Sequence, residues 1–407
     1  MDSRLYWIWL SRAVPLGDEC MNTLLDTFGD ARDVYAAPRE ELARAVSPKT
    51  VLDRLCDRSL DEAHKILDRT LADGDWLLTP VDALYPVCLR RLIGLPAVLY
   101  CRGVMPDLDV RPAIAVVGTR RATENGKREA FALSGGLAAG GMTVVSGGAC
   151  GIDAAAHRGA LSVGGCTIAV LACPLDVEYP AENADLRREI VARGGLLVSE
   201  YPSALPYRCI FPIRNRLIAG LCQGVCLAET PVRSGARITA RLAREQSREV
   251  FALPGALSGH RNDGAHREIQ DGAMLIMRAT EIIEEYAPLF PGMLDADAAA
   301  EAQERLESAP DTKEDRSSRE RYKSRKHSEA APDAETTVHP ATVPDDTPPV
   351  ASENAVRVWQ ALTAQPQPVD LLAQATALPV PVLLAALTEL EMLGRAANSA
   401  GQQYHRI

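Results

Sequence analysis

No apolar run in the 407 residues approaches the roughly 18 needed to span a bilayer. The most apolar opening stretch, LYWIWL at residues 5–10, is too short for a secretion signal and lacks its basic start. Ten cysteines are scattered without a CxxC pair or a neighbouring His cluster. The tight ligand pairs of a metal site are therefore missing, and buried reduced thiols are expected. A Walker A signature, a GxSxG elbow and a Ser–His–Asp order are all lacking, which removes the usual parts of ATP hydrolysis and serine hydrolysis. These absences lead us to expect a cytoplasmic protein with no membrane contact, metal or cofactor.

Lysine is scarce where charge matters most. The chain carries a net charge of −10, which by itself argues against a nucleic-acid partner. Between Arg111 and Arg278, however, 20 Lys+Arg face 15 Asp+Glu, and only Lys127 among the 20 is lysine. Arginine's planar fork suits phosphate better than a point charge does. The acidic excess lies outside this segment.

What is present divides into four parts. Residues 1–75 read as short helices, in DECMNTLLDTFGD, PREELARAV and SLDEAHKILDRTLADG, forming a small helical domain. Residues 76–290 begin with a connecting segment that contains the strand-like AVLY. From residue 111 the apolar runs AIAVVG, MTVVSG, TIAVLA, GLLVSE, GVCLAE and EVFALPG alternate with helical stretches near 122–139, 152–163, 183–193, 212–220 and 235–247. Continuous apolar runs alternating with helices predict a doubly wound, mostly parallel α/β sheet covered on both faces. Residues 291–350 lose periodicity and are rich in Ala, Asp, Glu and Pro, so a disordered linker is expected, with KEDRSSRERYKSRKH read as solvated charge. Residues 351–407 regain pattern as three short helices and a hairpin-like tail, the order of a winged helix. Its third helix, within PVPVLLAALTELEMLG, carries two acidic residues and no basic one, which disfavours duplex readout and points to a structural or protein-binding role.

Ligands of open α/β sheets gather at the carboxyl ends of the strands. There the sequence places Gly118-Thr119-Arg120-Arg121, Ser146-Gly147-Gly148, Ser199-Glu200 and Glu229. Two glycine turns side by side suggest backbone N–H groups facing an anion. GxGxxG is missing after the first of these runs, and no acidic residue closes the second to hold a ribose, so a dinucleotide is not favoured. Asp153 and His157 are spaced i, i+4; a helix cap plus a packed histidine is the preferred reading over an acid–base pair. In FPIRNRLIAG, Arg214 and Arg216 diverge on a helix. Either one meets phosphate while the other anchors through Glu200 or Glu229, or both are structural. Phe211, one of only five phenylalanines, either stacks a base beside Arg208 or packs in the core.

Taken in order, VVGTRRAT, SGGACGIDAAAHRGAL, TIAVLACPLDVEYPAEN, LLVSEYP, FPIRNRLIAGLC, SGARITARLAREQSREVFALPG and DGA resemble the consecutive motifs of the DNA-processing protein A (DprA/Smf) family over residues 85–285. The resemblance implies a Rossmann-like core, an N-terminal helical domain like a sterile alpha motif (SAM), and a C-terminal winged helix. It implies a homodimer that binds single-stranded DNA without sequence preference and delivers RecA recombinase onto it in natural transformation, with no catalytic activity. By motif match, Gly118, Thr119, Arg120 and Arg121 fall in the phosphate-gripping turn. Ser146, Gly147 and Gly148 form its neighbour, and Arg208, Phe211, Arg214, Asn215 and Arg216 complete the site. Cys150, Ala172-Cys173-Pro174, Arg237 and Glu268 depart from the family pattern. A nucleotide-hydrolysing enzyme of the lysine-decarboxylase-like group is the alternative; its PGGxGTxxE turn is replaced here by ETPVRSGARITARLA.

Overall fold

The computed structural model describes residues 2–47, 49–203 and 211–308, and most of 353–406. It forms two units divided after Thr312, which are described separately. Six helices open the first unit: α1 (Arg4–Ala13), α2 (Cys20–Phe28), α3 (Ala31–Ala36), α4 (Arg39–Ala45), α5 (Lys49–Cys56) and α6 (Asp61–Ala72). LYWIWL lies in α1, where Trp7, Ile8, Trp9 and Leu10 are buried. Its hydrophobicity thus serves the packing of the helical domain.

The chain then runs through β1 (Trp76–Leu78), the single turn α7 (Val87–Arg90), β2 (Leu99–Gly103), β3 (Ala113–Val117), α8 (Glu124–Ala139), β4 (Thr143–Ser146), α9 (Ile152–Ser162) and β5 (Thr167–Leu171). Next come α10 (Ala184–Ala192), β6 (Leu196–Ser199), α11 (Phe211–Gly220), β7 (Gly224–Leu227), α12 (Gly235–Glu245), β8 (Glu249–Ala252), α13 (Asp263–Gln270), β9 (Met274–Leu275), α14 (Ala279–Tyr286) and α15 (Ala296–Ser308). All six predicted strands of residues 111–288 are present, as β3 to β8. The nine strands lie in the order β1-β2-β6-β5-β4-β3-β7-β8-β9. Pairing is parallel from β6 to β9, while β1 on β2 and β2 on β6 are antiparallel. Successive crossovers run outward from β3 to β6 in one direction and from β7 to β9 in the other, so the order reverses between β3 and β7. The strand ends beside such a reversal are where a doubly wound sheet opens a crevice.

Each face of the sheet has its own core. One gathers α1 to α6 with β1, β2 and β6, and the other gathers α8, α9, α14 and α15. Parallel strands buried on both faces account for runs such as AIAVV, in which every residue is buried. Helices α8 and α9 approach closely because Gly159 leaves no side chain where the Phe131 carbonyl passes. Thr123 caps α8 by accepting from the Gly126 N–H at 3.0 Å, and the Ser234 side chain caps α12 in the same way.

The disordered linker expected over 291–350 needs correction at its start. Residues 296–308 form α15, burying Ala299, Ala302 and Gln303. The Gln303 amide oxygen accepts from the Ala279 N–H at 2.7 Å, and α15 covers the small-residue face of α8 at Gly135 and Gly136. An alanine-rich stripe needs few large side chains to pack against glycines, which is why its composition resembled a linker. The rest of the expected linker, from 309 to 350, lies outside the described residues.

In the second unit, helices Glu353–Ala361 and Val369–Thr376 pack on a sheet of order β10 (Gln367–Pro368), β12 (Gln403–Arg406), β11 (Ala396–Ser399). Trp359, Leu372, Leu383 and Leu387 fill its core, and the Arg406 guanidinium sits 3.7 Å from the Trp359 ring centroid. The predicted hairpin tail is the β11–β12 pair. Much of the predicted third helix lies outside the described residues.

Candidate nucleic-acid interface

A cavity of about 310 Å³ opens above the carboxyl ends of β4 and β5. Arg120 from the turn after β3, Gly147, Ala149 and Cys150 from the turn after β4, and Leu171, Ala172 and Cys173 at the end of β5 form its walls, closed by Tyr179, Pro180, Glu182, Phe211 and Arg214. Arg120 is exposed, and its guanidinium carbon stands 4.3 Å from the centroid of the Phe211 ring. Tyr179, 44% exposed, meets the same ring at 6.1 Å between centroids. A cation held over an aromatic face contributes about 0.5–1 kcal/mol at an exposed site. It also fixes a long side chain at the mouth of the cavity.

The second glycine turn departs from the expected phosphate cradle. Its anion is internal: Asp153 Oδ2 accepts from the Gly147 N–H at 3.1 Å and from the Ala149 N–H at 3.3 Å. Gly147 is required for space, since a β-carbon there would lie 2.7 Å from both Asp153 Oδ2 and Arg214 Nη2. Burial raises the Asp153 carboxyl above its ordinary range, while the nearby Arg214 and these N–H groups act in the opposite sense. His157 is fully buried with Nδ1 2.8 Å from Thr167 Oγ1. Because the Thr167 hydroxyl donates to the Val144 carbonyl, the imidazole must carry its proton on Nδ1. Burial pushes its pKa down to about 3. His157 is thus the packed histidine of the preferred reading, whereas Asp153 does not cap its helix: the N-cap is Gly151, and the carboxylate instead holds the turn before it.

In the first turn, the Thr119 N–H donates to the Glu229 carbonyl at 2.8 Å, and Gly118 packs closely on Ile152 and the Glu229 backbone. Arg121 is exposed beside Arg120, whereas the Ser146 hydroxyl is buried and donates to the Val116 carbonyl. Gly148 is buried at φ +67°, and its carbonyl accepts from Asn183. Arg214 projects inward beneath the cavity, its Nη1 donating to the carbonyls of Gly147 and Val170. Arg216 points away and pairs with buried Glu200 at 2.6 Å, one of the two anchors expected for it. Asn215 reaches the Gly235 carbonyl at 3.3 Å. Arg208 lies outside the described residues. The structure therefore gathers Arg120, Gly147, Phe211 and Arg214 at one cavity and leaves Gly118, Thr119, Arg121, Ser146, Gly148, Asn215 and Arg216 off its wall. Sequence reasoning missed Tyr179 and Glu182 there, although both lie within the quoted segment TIAVLACPLDVEYPAEN.

Residues 76–287 match the model of the DNA recombination-mediator protein A family, and residues 341–402 match that of the DprA winged helix domain. The chain belongs to the DNA recombination-mediator protein A family. It is 41% identical to the DNA processing protein DprA of Streptococcus pneumoniae over 207 residues, covering 51% of this chain and 72% of the relative. It is 34% identical to protein Smf of Synechocystis across 98% of both chains. The X-ray structure of the Streptococcus pneumoniae DprA superimposes with a TM-score of 0.60 at 33% identity, covering 69% of this chain and 97% of that one. Arg237 and Glu268, both expected to depart from the family pattern, pair with each other: Arg237 Nε lies 2.6 Å from Glu268 Oε1, with Arg244 Nη1 2.5 Å from Glu268 Oε2. Glu268 is buried, and the charge at one unexpected position is neutralised from the other.

Proposed function

We propose that this member of the DNA recombination-mediator protein A family grips single-stranded DNA without sequence preference and presents it to RecA recombinase as a non-catalytic homodimer in the cytoplasm. The observation that carries the reading is the exposed Arg120 guanidinium seated on Phe211 at the mouth of an aromatic-walled cavity of about 310 Å³. Phosphate would meet arginine side chains, since the Gly147 and Thr119 N–H groups are already bonded within the protein. A base would enter beside Tyr179 and the Arg120 plane, and such stacking is tolerant of sequence at roughly 1–3 kcal/mol per base. Duplex DNA hides those base faces. The dimer is supported by the sheet edge at β9, where Met274 and Leu275 are exposed and Met277 is 63% exposed, since an apolar edge strand invites pairing.

Salt titration of oligothymidylate binding tests the reading. The logarithm of the binding constant should fall with the logarithm of salt at about −0.7 per phosphate contacted. Arg120→Ala should flatten that slope and weaken all single-stranded sequences alike, and a duplex of equal length should compete poorly. A slope unaltered in Arg120→Ala would remove the phosphate role.

A further inference from the structure

We infer that a bound strand leaves the cavity across Arg121 and Arg261, so that the loop between β8 and α13 supplies a further phosphate contact; this rests on the single-strand reading above. The two sides of the cavity differ in charge. On the β5 side Glu182 lines the wall, and the Glu178 and Asp185 side chains are 62% and 98% exposed. The cation beside them, Arg188, is bonded to both, at 2.8 Å and 2.6 Å. A phosphodiester chain leaving on that side would meet exposed carboxylates whose nearest cation is already engaged.

The opposite side is basic. Arg120 and Arg121 are exposed at successive positions, and the Arg261 side chain is 60% exposed. Arg261 Nη1 donates to the Arg121 carbonyl at 3.4 Å, which joins the loop after β8 to the turn after β3 across the end of β7. The carboxylate beneath this junction, Glu229, is buried, and its Oε2 accepts from the Thr123 N–H at 3.0 Å and the Thr123 hydroxyl at 2.5 Å. Among the described residues its Oε1 has no hydrogen-bond partner, and it lies 3.9 Å from Arg261 Nη1. Arg261 therefore screens Glu229 from an approaching phosphate. A guanidinium has five N–H donors, which leaves Arg261 donors beyond its bond to the Arg121 carbonyl. From β5 to β8 the strand ends are separated by about 19 Å, four steps of ~4.8 Å. A single nucleotide seated over the end of β5 therefore falls short of Arg261, and a strand reaches it by continuing past Arg120 and Arg121.

The test compares oligothymidylates of about two and about 20 nucleotides by salt titration on the full chain, the shorter one read by competition. Arg261→Ala should lower the slope of the longer oligonucleotide by about 0.7 and leave the shorter one unchanged, while Arg261→Lys retains the wild-type slope. Thermal melting checks that the exposed substitution leaves the fold intact. An unaltered slope for the longer oligonucleotide overturns the inference. So does an equal loss for both lengths, which would place Arg261 at the cavity itself. A steeper slope for the longer oligonucleotide in the Glu178→Gln, Asp185→Asn variant also overturns it, because the strand would then leave over β5. Failure of the wild-type chain to bind either oligonucleotide overturns the single-strand reading as well.

Discussion

Arg120 and Arg214 both line the cavity, yet their surroundings predict opposite consequences for their loss. Arg214 is 6% exposed, donates to two backbone carbonyls, and faces Asp153 across Gly147. Arg214→Ala would strip two buried carbonyls of a donor and leave the Asp153 carboxylate without its neighbouring cation. Removing one member of such a buried charged arrangement costs about 3–5 kcal/mol. At roughly 2 °C per kcal/mol for a unit of this size, Tm should fall by roughly 6–10 °C. Arg120 is exposed, and its loss removes only the contact with Phe211, about 0.5–1 kcal/mol, so Tm should move by no more than roughly 2 °C. Circular dichroism melts and salt titrations on the same preparations separate the two roles: Arg120→Ala keeps its Tm and loses slope, and Arg214→Ala loses Tm. The neutral pair Asp153→Asn with Arg214→Met should recover part of that loss, because no unpaired charge remains. An Arg214→Ala protein melting within about 2 °C of wild type would refute the assignment of Arg214 to the scaffold.

Other consequences can be measured directly. Glu268→Gln should destabilise by about 1–3 kcal/mol in urea, while Arg237→Leu with Glu268→Leu should recover most of that, giving a coupling between the sites in a double-mutant cycle. His157 has a folded pKa of about 3 against an ordinary 6.5, so its contribution is fully present above 6.5 and is lost as pH falls towards 3, at up to about 1.4 kcal/mol per pH unit. Asp153 and Glu200, both raised by burial, act with the opposite sign, so the comparison of urea midpoints at pH 7 and 5 is made between wild type and His157→Gln, whose dependence should be shallower. Met277→Glu, at the exposed sheet edge, should shift sedimentation towards monomer with Tm preserved; an unchanged oligomer would move the dimer contact elsewhere.

Local pattern alone made much of this fold legible. Residues such as AIAVV are apolar throughout because both faces of a parallel strand are covered, and Gly and Ser signals near the ends of the helices between them act over a few residues. The motifs at the strand ends likewise brought Arg120, Gly147, Phe211 and Arg214 into one list. Three features escaped that logic. The alanine-rich α15 resembled a linker because its fit depends on glycines more than 150 residues earlier, at Gly135 and Gly136. Tyr179 carried no signal of its own until the cavity placed it against Phe211.

Which groups remain available to a ligand was the third, and tertiary structure alone decided it. Residue type and spacing determined that arginines and glycine turns would meet at the strand ends. Only the packed chain could assign the Gly147 N–H to Asp153, Arg214 to the Gly147 and Val170 carbonyls, and Arg216 to Glu200, leaving Arg120 exposed. A buried polar group must find a partner wherever the fold brings one within reach, and that reach is set by contacts distant in sequence.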